Sequence, residues 1–151
     1  MSRELLDRGG MLRFQAHGRS MYPCIKNGDI ILIEPQNGDS VGIGDIVFYG
    51  RSDGSMTVHR LIKVAGTKDR TILFTKGDSL KYIDPPVTSR QVMGQVIGIE
   101  GNGRQFKLNR WPGHIFGRFV AWMARGRYPN QRRVVRYIDR FGWLLLGRRI
   151  K

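Results

Sequence analysis

"MTVHRLIKVA" (residues 56–65) decides how this chain is read. It is rich in residues that favour strands and is bounded by Asp53-Gly54 and Gly66, both turn signals. Period-2 alternation puts Thr57, His59 and Leu61 on one face. An imidazole in such a strand has three ordinary fates. It is exposed, it is hydrogen-bonded in a core, or it does chemistry.

Short apolar runs of the same kind recur on both sides: "MLRFQA" (11–16), "DIILIE" (29–34), "DIVFYG" (45–50), "TILFT" (71–75), "QVMGQVIGIE" (91–100) and a last short "FKLN" (106–109). Between them stand Asn27-Gly28, Asn37-Gly38, Gly42 to Gly44, Lys76-Gly77 and Pro85-Pro86. Regular strands with regular turn chemistry predict a mainly β fold, a coiled, barrel-like sheet over residues 1–110.

The character changes after Trp111-Pro112. "GHIFGRFVAWMARG" (113–126) and "NQRRVVRYIDRFGWLLLG" (130–147) predict two helices divided by Tyr128-Pro129. In the second, Val134, Ile138, Phe141 and Leu145 share one face. Of the chain's 26 Lys and Arg, 13 lie in residues 101–151, against Asp139 as the single acid there. All 3 tryptophans lie there too. Residues 111–151 thus read as a basic, amphipathic helical segment. One reading lays it in a membrane interface against anionic lipid. The other packs it on the β-domain with its arginines solvated.

Cys24 is the only cysteine, so no intrachain disulfide and no cysteine metal set is expected. "MSRELLDRGGMLRF" lacks the apolar core of a signal peptide, and no run reaches the roughly 20 apolar residues of a spanning helix.

The remaining signals are chemical. In "HGRSMYPCIKNGD" (17–29), Ser20 sits at a small-residue corner with Met21 and Pro23 beside it. By itself such a serine is a turn residue. A nucleophilic serine needs a base and donors for an oxyanion. His59 supplies the first companion. "TKGDSLKYIDPP" (75–86) supplies the second, since either Asp78 or Asp84 is placed to orient the imidazole and stabilise its charged form. The ordinary alternative for both is a loop aspartate bonded to local amides. His17 adjoins the serine turn and His114 belongs to the basic segment.

"GRSMYPCIKNGDIILIE", "GDIVFY", "VHRLIKV" and "FTKGDSLKYIDPP" stand in the order of the boxes of signal peptidase I and its relatives, a group that also holds LexA-like self-cleaving peptidases. The resemblance covers residues 11–100. It is to the branch with histidine as base, the endoplasmic-reticulum, archaeal and sporulation type. The resemblance implies Ser20 as nucleophile, His59 as general base, Asp84 as triad acid and Asp78 as a supporting carboxylate. It implies Met21 and Pro23 as substrate-proximal. The family's usual Ser-Gly-Ser-Met becomes Gly18-Arg19-Ser20-Met21, so a hydroxyl that often helps hold the oxyanion is replaced by glycine.

The expected activity is that of a serine endopeptidase of signal peptidase type, cleaving a leader peptide or precursor through a Ser-His-Asp site with no cofactor. The expected partners are a polypeptide substrate and an anionic membrane surface. The expected setting is a peripheral or interfacial membrane location in a prokaryote, with the cytoplasm as alternative. Two rivals are a LexA-like cytoplasmic peptidase that cuts itself or one partner, and a non-enzymatic basic module that grips membrane or nucleic acid. Nucleic acid is the weaker partner, because a phosphate binder has no use for an apolar stripe and tryptophans.

Overall fold

The apolar runs become strands because each alternates its side chains between two sheltered faces. A computed structural model describes residues 10–67, 70–108, 111–125 and 148–149. The strands are β1 (Leu12–Gln15), β2 (Ile30–Pro35), β3 (Ile46–Gly50), β4 (Met56–Thr67), β5 (Arg70–Lys76), β6 (Val87–Thr88), β7 (Val92–Gly101), β8 (Arg104–Lys107) and β9 (Arg148–Arg149). A 3-10 turn, Ser89–Gln91, joins β6 to β7, and one helix, α1, spans Trp111–Arg125.

All pairings among these strands are antiparallel, in the order β1-β2-β7-β3-β4-β5-β6, with β8 against β7 and β9 against β8. The sheet curls into a half-barrel, as the run of short strands and turns predicts. Its register opposes Val47 to His59, Tyr49 to Thr57 and Leu61 to Thr75. Apolar clusters cover both faces. Ile31, Ile33, Ile46, Phe48, Val96 and Ile99 pack with Met21 and Ile25 on one. Val47, Tyr49, Leu61, Leu73 and Val92 pack on the other. Alternation along "IVFY" explains the division, since Val47 and Tyr49 point away from Phe48.

Helix α1 begins at Trp111, two residues before the expected start, with Pro112 in its first turn, where proline lacks no needed donor. It docks on the sheet through Gly117, Val120 and Ala121. Gly117 lies against the Gly44 carbonyl and near the Arg60 guanidinium. Its outer face carries exposed Ile115, Phe119 and Trp122, the last two rings stacked 6.2 Å apart. Residues 111–125 thus pack against the β-domain. Arg148–Arg149 also returns to the sheet as a strand, where the sequence suggested helical tail. The second helix expected over 130–147 lies outside the described residues. No helix among the described residues is long and apolar enough to cross a membrane.

Candidate active site

The serine box folds as a chain of turns between β1 and β2. Gly18 takes φ +92°, a left-handed conformation that only glycine adopts without strain, and this lets the chain reverse before Ser20. Its N–H donates to Asn27 Oδ1 at 2.8 Å. The Tyr22 N–H donates to the Arg19 carbonyl at 3.1 Å and the Ile25 N–H to Met21 at 2.9 Å. Asp29 closes the loop by accepting from the Lys26 N–H at 2.8 Å.

A second loop holds this turn from behind. The Ser79 N–H donates to the Ser20 carbonyl at 2.9 Å, and the Ser79 hydroxyl reaches the Arg19 carbonyl at 2.7 Å and that of Ser20 at 3.0 Å. Gly77 permits the approach, since a Cβ there would lie 2.7 Å from the Ser20 carbonyl oxygen. Asp78 does not face His59. It takes a two-pronged bond from Arg60, Nε at 2.8 Å and Nη2 at 2.7 Å, while Arg60 Nη1 donates to the Gly44 carbonyl at 2.8 Å. Residue types alone left both aspartates open as partners of the imidazole and the resemblance implied Asp84; the fold pairs Asp78 with Arg60 and Asp84 with His59. Both members of the Arg60–Asp78 pair are only 2% exposed. Burial disfavours the guanidinium's charge, but Asp78 outweighs this and pushes its pKa up.

His59 Nδ1 lies 2.6 Å from Asp84 Oδ2. The same oxygen takes the Thr75 hydroxyl at 2.8 Å and the Tyr49 hydroxyl at 3.2 Å, and Oδ1 takes Arg51 Nη2 at 3.2 Å. Burial pushes the Asp84 carboxyl up. The hydrogen bond and charge of His59, with the Thr75 and Tyr49 hydroxyls, outweigh it and hold the group below the usual carboxylate range. Burial raises the Tyr49 phenol. The Cys24 thiol, half-buried beside Arg60, is pushed up by burial to about 11.

Ser20, Met21 and His59 border one cleft of about 670 Å³, walled also by Phe14, Phe48, Val58 and Leu80. Among the described residues no hydrogen bond joins Ser20 to His59, although both border the cleft. Pro23 is buried and stands outside the cleft wall, so of the two residues the resemblance implied as substrate-proximal only Met21 lines it. Arg51, Tyr49, Thr75 and Ser79 went unnoticed in the sequence. Thr75 and Tyr49 do lie on strands beside the His59 strand, but nothing in their spacing marks them. No group of three metal-ligating side chains gathers among the described residues.

The Peptidase S24-like family model matches residues 2–97. The chain belongs to that family. The match agrees with the resemblance to signal peptidase I and its relatives that the four ordered boxes carry. Two fungal proteins named as signal peptidase complex catalytic subunits are similar to it. That of Schizosaccharomyces pombe is 34% identical over 83 residues, 43% of this chain and 44% of its own. That of Metarhizium robertsii is 30% identical over 89 residues, 52% of each. The chain spans about half the length of the curated relatives it matches. No solved structure matches it significantly. The expected prokaryotic setting, peripheral on a membrane or cytoplasmic, is corrected by these matches. The relatives are fungal, hence eukaryotic rather than prokaryotic.

Proposed function

We propose that the protein is a serine endopeptidase of signal peptidase type, with Ser20 as nucleophile, His59 as general base and Asp84 as the carboxylate that orients it. The observation that carries this reading is the buried His59–Asp84 bond at the wall of the cleft that Ser20 also borders. In the proposed reaction Ser20 Oγ attacks the scissile carbonyl and His59 Nε2 takes its proton. The oxyanion forms beside the Ser20 N–H. His59 then protonates the leaving amine. Water, activated by the same base, hydrolyses the acyl-enzyme. An imidazole suits this role near neutral pH. Asp78 acts through structure, fixing the loop whose Ser79 grips the Ser20 carbonyl.

The substrate is an extended polypeptide, a leader or signal peptide, with small side chains at the cut. The second partner is an anionic bilayer surface, met by exposed Ile115, Phe119 and Trp122 with Arg118 beside them. The test is cleavage of a signal-peptide-like substrate by the wild type, Ser20→Ala and His59→Ala. Both variants lose cleavage and keep the fold. Full activity in Ser20→Ala overturns the reading.

A further inference from the structure

The Asp84 carboxylate is held unequally at its two oxygens. Oδ2 takes three partners, His59 Nδ1, Thr75 Oγ1 and the Tyr49 hydroxyl. The last two belong to side chains that are almost wholly buried on β5 and β3, so their positions are set by the core. Among the described residues Oδ1 has one hydrogen-bond partner, Arg51 Nη2 at 3.2 Å. Arg51 opens the β3–β4 hairpin loop. Its backbone N–H donates to Ser55 at 2.8 Å and its carbonyl accepts from Gly54 at 3.1 Å, so the loop aims the side chain.

Two hollows meet at this point. The large cleft touches His59 but not Asp84. A smaller one of about 170 Å³ touches Asp84, Tyr49, Asp53 and Gln91 but not His59. Arg51 borders both. Its side chain is 38% exposed, against 7% for Asp84, so it stands between the carboxylate and water.

We infer that Arg51 is a positioning residue for the imidazole: by fixing Asp84 Oδ1 it keeps Oδ2 aimed at His59 Nδ1 and closes the carboxylate off from solvent in the smaller hollow. Without it, Oδ1 is hydrated and the carboxylate turns about its Cβ–Cγ bond, so Oδ2 leaves the imidazole for part of the time. A half-exposed ion pair adds little to stability. Its effect falls instead on the orientation of the base, where a small displacement costs roughly 10- to 100-fold in turnover. The role in turnover rests on the proposed peptidase reading, whereas the hold on Asp84 does not.

The test joins kinetics to proton NMR of the full chain in Arg51→Ala, Arg51→Lys and wild type. The NMR probe is the downfield His59 Nδ1–H resonance, assigned by its loss in His59→Ala. Arg51→Ala is expected to lower kcat about 10-fold or more with KM and melting temperature unchanged, and to broaden the resonance or move it upfield. Arg51→Lys restores most of both. A rise in KM with kcat intact would make Arg51 a substrate contact and overturn the inference, as would a resonance in Arg51→Ala identical to wild type. If the wild type cleaves nothing while Arg51→Ala still loses the resonance, the positioning role stands and the peptidase reading falls.

Discussion

His59 Nδ1 and Asp84 Oδ2 stand 2.6 Å apart with their side chains 5% and 7% exposed, on strand β4 and on the loop after β5. A contact so short and so dry has a defined chemical use, since it selects the tautomer that leaves the other ring nitrogen free to take a proton. Asp84→Asn keeps the shape and removes the charge. It is expected to lower kcat by about 10³- to 10⁴-fold with the circular dichroism spectrum unchanged. Steady-state kinetics on a peptide substrate checks this.

The same contact has a consequence for stability. Asp84 titrates below the ordinary carboxylate range in the folded chain, so the fold binds its ionised form more tightly than the unfolded chain does. That contribution is fully present above the ordinary range, about pH 4, and is lost as pH falls through the depressed value. The stability gap between wild type and Asp84→Asn should be steady near neutrality and shrink below about pH 4. Urea unfolding across pH 2–7 measures it.

Arg60 and Asp78 form a buried pair, and breaking one half strands the other charge. Asp78→Asn is expected to destabilise by about 3–5 kcal/mol, more than Asp84→Asn at neutral pH. If folding survives, the shape of the pH–rate profile is retained, because Asp78 does not touch His59. Chemical denaturation and the pH–rate profile together distinguish the two aspartates.

Gly77→Ala places a methyl against the Ser20 carbonyl oxygen and forces the two loops apart. The expected cost is about 1–3 kcal/mol of stability, with a fall in reactivity toward a serine-directed fluorophosphonate. Ser79→Ala, which keeps the N–H donor and loses the hydroxyl, should show a smaller fall on the same assay.

Phe119 and Trp122 project from α1 away from the sheet. Trp122→Ala is expected to weaken co-sedimentation with anionic vesicles several-fold while leaving the melting temperature within about 2 °C, since exposed side chains contribute little to folding. Unchanged binding in the double variant Phe119→Ala/Trp122→Ala removes this face as the lipid contact.

The strands were legible because their signal is local. "IILIE", "IVFYG" and "VMGQVIGIE" each carry their own alternation and their own bounding turns, and they fold within a residue or two of where they were expected. Helix α1 was legible for the same reason, while its docking on Gly44 was not, because a close approach of two glycines leaves no pattern in either segment. The two-residue strands β6 and β9 are too short to carry periodicity and exist through their partners.

The sequence by itself determined the class of fold, the order of the strands along the chain and the short set of residues worth watching: Ser20, His59, Asp78 and Asp84. The fold class was written in side-chain alternation and turn chemistry, and the four residues gained their weight from the order of the boxes that resemble signal peptidase I and its relatives. Residue types and spacing left the imidazole's partner open between Asp78 and Asp84, the resemblance implied Asp84, and the tertiary structure shows the contact with Asp84. The curl of the sheet brings Thr75 and Tyr49 beside Asp84 and turns Asp78 toward Arg60. Five residues of loop separate the two carboxylates, and their opposite roles follow from which side of β4 each one meets. His59 and Arg60 are neighbours in sequence whose side chains leave the strand on opposite faces.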